Sequence, residues 1–273
     1  MASLKEVKTR VASVHTTRKI TQARQMISSA QLHRAQVVLG GASAYRDGLD
    51  DVFGQVSEMI GPSSPLFATD KKGGVAIVVF SADGGMCGAF NAHIIKQMQA
   101  FPHATFFIVG KKAREAAAAA CYTTGKAPRT PVGKITFEQI ADLSAELIDG
   151  FLSGRFSRVE MIFSEFISII SQPVRHRVLL PLPSPGTSPA KDYILEPAPK
   201  ALVDGLAPML ITARINAALA NSVASEHAAR MTAMQLATEN ADELLEELQL
   251  MYNKLRQQSI TSELLDIMGS SFA

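Results

Sequence analysis

The sequence predicts an α/β fold in which long N- and C-terminal helices pair as an antiparallel coiled coil and carry a small domain with a mainly parallel sheet. Three observations predict it. Residues 1–39 contain neither Gly nor Pro, residues 209–268 form a second stretch without them, and β-rich runs alternate with helical ones in between. Two helices at opposite ends of one chain, each far longer than the usual dozen residues, bury their faces most simply against each other.

The N-terminal helix opens at Ser3 and Glu6, an S-x-x-E capping box. Leu4, Val7, Val11 and Val14 follow the 3-4 spacing of a coiled-coil seam. The same frame then meets Arg18, Thr21, Gln25 and Ser28 before returning to Leu32 and Ala35, while Ile20, Ala23, Ile27 and Ala30 form a second stripe. This reads as a helix that buries different faces along its length and presents a polar surface to a second partner. Gly40 and Gly41 weaken it, and GPSSP ends it near Ile60.

The C-terminal helix is the strongest structural signal: 60 residues rich in Ala, Leu, Glu, Gln and Met would span about 90 Å at 1.5 Å per residue. Leu210, Ala213, Ala217, Ala220 and Ala224 make a seam of mostly small side chains. Ala237, Ala241, Leu244, Leu248, Met251 and Leu255 continue it with larger ones. The methionines at 209, 231, 234 and 251 read as packing rather than a binding box. Dimerisation through these stripes is the alternative.

In the middle, strands are expected at Val75–Phe80, Thr105–Val109, Val159–Ile167 and Val174–Leu180. Helices are expected at Phe90–Ala100, Lys111–Ala120 and Phe137–Leu152, the last behind a T-x-x-Q cap at Thr136 and Gln139. This order gives a Rossmann-like domain with an antiparallel edge strand at Val174. PLPSPGTSPAKD, residues 181–192, reads as a linker. The division that follows is 1–60, 73–192 and 205–273.

Composition excludes several functions. Cys87 and Cys121 have no flanking Cys or His, so they read as free thiols in a reducing compartment. The six histidines show no metal-ligand spacing. The longest apolar runs, such as Gly74–Phe80, fall short of the ~18 residues a membrane span needs, and the start is no secretory signal. Within residues 1–39, Lys5, Lys8, Arg10, Arg18, Lys19, Arg24 and Arg34 stand against Glu6 alone, a local net charge of +6. With no aromatic residue for base stacking, that charge does not make a nucleic-acid binder. In SADGGMCGAFN, Gly84, Gly85, Cys87 and Gly88 form a turn between strand and helix that could hold a phosphate, but the spacing departs from G-x-G-x-x-G, and no P-loop Lys follows. A structural turn is the better reading. No cofactor site and no catalytic constellation emerge, and that favours a mechanical role. The alternative is a nucleotide-binding enzyme that its helices merely dimerise.

At both termini and at this turn the residues resemble the gamma subunit family of F-type ATP synthases of bacterial type. The opening LKEVKTRVASVHTTRKITQARQMISSAQLHRAQ is similar to the family's N-terminal signature. SADGGMCGAFN and YILEPAPKALVDGLAPMLI resemble its turn and its entry to the last helix. The most diagnostic stretch is SEHAARMTAMQLATENADELLEELQLMYNKLRQQSITSELLDIMGSSFA. The resemblance implies a central-stalk rotor that couples proton-driven rotation to ATP synthesis or hydrolysis, itself non-catalytic and peripheral on the cytoplasmic face of the inner membrane. Its partners would be a ring of alpha and beta subunits, the epsilon subunit and the membrane c-ring. Carried over by position, Arg256, Gln257 and Thr261, with Arg18, Lys19, Arg24 and Met26, would contact the ring. Leu264, Leu265, Ile267 and Met268 would turn in an apolar bearing. Arg24 departs from the family, which commonly has Met there, and the central domain lacks the cysteine-bearing insert of the chloroplast type.

Overall fold

In the computed structural model, residues 3–60, 64–69, 72–183 and 196–271 are described. Most of the linker expected at 181–192, and the Tyr193–Leu195 part of the helix entry, lie outside them. The chain divides into two compact units, residues 1–28 with 230–273, and residues 29–229.

The element order is α1 (Leu4–Ile60), β1 (Gly74–Phe80), α2 (Phe90–Met98), β2 (Thr105–Val109), α3 (Lys111–Ala119), α4 (Phe137–Leu152), β3 (Phe156–Ser164), β4 (Val174–Leu180) and α5 (Pro199–Ser271). In the larger unit the sheet order is β2-β1-β3-β4. The first three strands are parallel and β4 is antiparallel to β3, as the sequence predicts. Both faces are covered, which is why β1 reads as an unbroken apolar run. One face, with Val78, Phe80, Phe107 and Met161, packs on α4 and on Phe53 and Val56 of α1 and Val203, Leu210, Ile211 and Ile215 of α5. The other, with Ile77, Val79, Phe106 and Ile108, packs on Ile94 and Met98 of α2 and Ala113 and Ala117 of α3. Asp50 of α1 takes two hydrogen bonds from Arg214 of α5, at 2.6 and 3.0 Å, so the terminal helices meet directly in this unit.

Elements β3 and α5 differ most from expectation. The strand expected to run to Ile167 stops at Ser164, because side chains of α5 replace the ladder. Ser222 Oγ accepts from Ser164 N, Ser225 Oγ donates to Ser164 O, and Asn221 Oδ1 accepts from Phe166 N. Helix α5 starts at Pro199 instead of beyond Pro208. Pro at the first helical position suits a helix start, and packing of Val203, Ala207, Leu210 and Ile211 in the core carries the helix through Gly205 and Pro208 against their propensities. Helix α5 is also long and apolar enough by composition to cross a membrane, but 56% of its apolar window is buried inside the protein. It is a core helix.

Capping agrees with the sequence at both predicted boxes. Glu6 N and Ser3 N exchange hydrogen bonds with the Ser3 and Glu6 side chains at 3.2 and 2.8 Å, and Thr136 and Gln139 do the same at 3.3 and 3.2 Å.

Candidate functional site

The smaller unit is a two-helix antiparallel coiled coil. Its α1 strand keeps one seam throughout: Leu4, Val7, Val11, Val14, Arg18, Thr21, Gln25 and Ser28 are all buried or half-buried. The expected change of buried face does not occur. The 3-4 register persists through polar residues because α5 supplies matching groups: Arg18 Nε pairs with Asp242 Oδ1, and the Thr21 and Thr238 hydroxyls lie 2.8 Å apart. The apolar second stripe is left outside, with Ile20 56% and Ile27 57% exposed. On α5 the seam runs through Ala241, Leu248, Tyr252 and Leu255. Met251, expected in the seam, is half-exposed, as is Met209 in the larger unit, because the apolar stripe at these levels is offset by one residue.

Of the residues assigned to ring contact, Lys19, Arg24 and Met26 lie on the exposed side of α1, Met26 at 69%. Arg18 is turned inward by its pair with Asp242 and is half-buried. Arg256, Gln257 and Thr261 are exposed on α5, and the Thr261 hydroxyl donates only to Gln257 O, a local helix bond at 2.9 Å. Leu264, Leu265, Ile267 and Met268 are all more than half exposed. Four large apolar side chains in five positions at the end of a helix are not what a soluble surface presents. Among the described residues no cluster of His, Cys, Asp and Glu could hold a metal ion. The exposed residues of the coiled coil include the cations of α1 and the apolar side chains near the end of α5.

The glycine turn of the larger unit is tied to the start of α3 and to Val132. Asp83 Oδ1 accepts from Lys111 N at 3.1 Å, which places a carboxylate on the N-terminus of α3, and Asp83 Oδ2 accepts from Val132 N at 2.7 Å. Asn91 Oδ1 accepts from Ala82 N, while its amide donates to Gly84 O and to Cys87 Sγ. Met86 and Gly88 take left-handed conformations, φ 59° and 56°, and Cys87 is buried. A phosphate would meet the Asp83 carboxylate where it needs amides. The cavity of about 410 Å³ that Asp83 lines takes none of its wall from Gly84, Gly85 or Gly88. Nearby, Lys112 donates to Glu115 and holds that exposed carboxyl below its ordinary range. Sequence reading missed Asp83 and Asn91 as the organisers of this turn. The signal was present in the Asp next to two glycines, a common turn residue.

The chain combines a two-helix antiparallel coiled coil with an α/β domain whose sheet is covered on both faces. The sequence matches the ATP synthase family over residues 3–273. It is 38% identical over 283 residues to the ATP synthase gamma chain of Parabacteroides distasonis, with 99% of each chain covered. It is also 38% identical over 290 residues to that of Bacteroides fragilis, with both chains covered in full. In fold it is similar to a chain of the OSCP/F1/c-ring part of Euglena gracilis mitochondrial ATP synthase, with TM-score 0.68 and 18% identity, covering 98% of this chain and 93% of that one. The chain belongs to the ATP synthase gamma-chain family.

Proposed function

We propose that this chain is the central-stalk rotor of a bacterial F-type ATP synthase. It turns inside a ring of alpha and beta subunits and couples proton-driven rotation to ATP synthesis or hydrolysis. The observation that carries this reading is the end of α5, where Ile260, Leu264, Leu265, Ile267 and Met268 are exposed together on the coiled coil. Full-length kinship with gamma chains supplies the partner.

Catalysis belongs to the beta subunits. The shaft acts by biasing each beta subunit between conformations, and its effect is limited to the difference in its contact free energy with them. Lys19, Arg24 and Met26 on α1, with Arg256, Gln257 and Thr261 on α5, make the torque contacts, and the cations meet acidic loops of the ring through charge-assisted hydrogen bonds. Arg18 serves the seam and so reaches the ring less directly. Leu264, Leu265, Ile267 and Met268 form the apolar bearing. The α/β domain docks the epsilon subunit and the c-ring at the cytoplasmic face of the inner membrane, with no part of the chain inserted.

Co-expression of the tagged chain with alpha and beta subunits tests this. The reading expects a complex that survives size-exclusion chromatography and hydrolyses ATP. Alpha and beta that assemble without the chain would remove it. The nucleotide-binding alternative gains nothing from a turn that sets the Asp83 carboxylate, held by Lys111 N and Val132 N, beside the glycines.

A further inference from the structure

Where β3 ends, hydrogen bonds to α5 take the place of a strand ladder. Ser222 Oγ accepts from Ser164 N at 3.2 Å, Ser225 Oγ donates to Ser164 O at 3.1 Å, and Asn221 Oδ1 accepts from Phe166 N at 3.1 Å. The network is anchored on both sides. Asn221 Nδ2 donates to Ala217 O one turn earlier in α5, and Ser164 Oγ donates to Gln172 O on the way into β4. Ser164, Asn221, Ser222 and Ser225 are all buried. Around them α5 is smooth: between positions 217 and 228 its buried apolar side chains are Ala217, Ala218, Ala220, Ala224 and Ala228, with Leu219 the one larger. Helices hold their register by interlocking ridges and grooves, and alanine gives little to interlock. Nearer its start α5 is keyed into the core by Leu210, Ile211 and Ile215. In the last turns before residue 230, where α5 passes into the other unit, the hydrogen bonds take over that task. They are directional and so admit one register. Moving α5 by one residue, 1.5 Å and about 100°, leaves Ser164 N, Ser164 O and Phe166 N without these partners.

We propose that Asn221, Ser222 and Ser225 are positioning residues that fix the angle of α5 against the sheet, and so keep the helix and the α/β domain in step under torque. This rests on the rotor reading and names a place inside the chain where torque passes. Among the described residues only α1 and α5 run from one unit into the other. Helix α1 meets the core of the domain through apolar side chains such as Phe53 and Val56, whose contacts are not directional. The network at the end of β3 supplies the direction that those contacts lack. Rotation against little load asks little of it, whereas rotation against a proton gradient strains it. The loss on removing it therefore grows with load.

The test assembles the full chain carrying Asn221→Ala/Ser222→Ala/Ser225→Ala with the other synthase subunits in proton-tight vesicles, below the melting temperature of the variant. With the gradient collapsed by an uncoupler, ATP hydrolysis is expected to match that of the unsubstituted complex. Once the gradient has built up, protons pumped per ATP hydrolysed are expected to fall at least about twofold, because each hydrogen bond lost weakens the register. Ile140→Ala serves as the control: it lowers the stability of the domain core without a part in the network, and pumping per ATP is expected to stay unchanged. Equal pumping by the triple variant and the unsubstituted complex overturns the proposal. An equal loss in Ile140→Ala also overturns it, since the effect is then one of stability alone. Should the triple variant not fold, Ser222→Ala is measured in its place with the same two outcomes. If the unsubstituted chain itself fails to assemble into a complex that pumps, the rotor reading falls. If that complex pumps and only the variant results fail, the positioning role alone falls.

Discussion

At the scale of single residues, the domain is held at the carboxyl end of β1 by groups with no freedom to change. Gly110 has φ 106°, and a Cβ there would lie 2.1 Å from Ser81 O, so Gly110→Ala should lose about 3 kcal/mol or more, seen as a lower urea midpoint. Asp83→Ala leaves Lys111 N and Val132 N without their acceptor, at a cost of about 1–3 kcal/mol for each group that stays buried. Gly48 is the opposite case. A Cβ at this helical position meets nothing within 4 Å, so Gly48→Ala should raise the stability of the free chain by about 1 kcal/mol. None of these three was legible from the sequence in sign or size. Gly110 and Gly48 look alike as letters, and only the position of Ser81 separates them.

At the scale of elements, local signals were read correctly where the cause is local. Both capping boxes formed, α4 and β4 have their expected ends, and the parallel order of the sheet followed from alternation of strand and helix. The failures have long-range causes. The end of β3 is set by Asn221, Ser222 and Ser225, more than 50 positions away. The seam of α1 was misread because the reading followed apolar residues, whereas the 3-4 register, which Arg18, Thr21 and Ser28 keep, was the better guide. The positions proposed for ring contact rest on family resemblance alone, since exposed Arg256 and Gln257 are ordinary on a helix surface. The polar seam leads to a prediction. Asp242→Ala alone should cost less than about 1 kcal/mol, because Arg18 and Asp242 are both partly exposed. Arg18→Leu/Asp242→Leu should raise the melting temperature while loosening the register. A disulfide engineered between positions 21 and 238 would report this by forming more slowly in the double variant.

At the scale of the whole molecule, the compact units cut across the elements. Helix α1 serves the sheet domain from residue 29 onward and the coiled coil before it, and α5 does the same on either side of residue 230. Each of these two helices thus contributes residues to both units. Neither cysteine is in a disulfide, Cys87 being buried and Cys121 exposed. ATP hydrolysis by the assembled complex should therefore be the same with and without reductant, and a clear difference would contradict thiol independence. The same exposure makes Cys121 a single handle for a maleimide-linked bead. With alpha and beta subunits fixed to a surface, the account predicts that ATP drives sustained, one-directional rotation of a bead on Cys121. A bead that stays still while the same complexes hydrolyse ATP would contradict it.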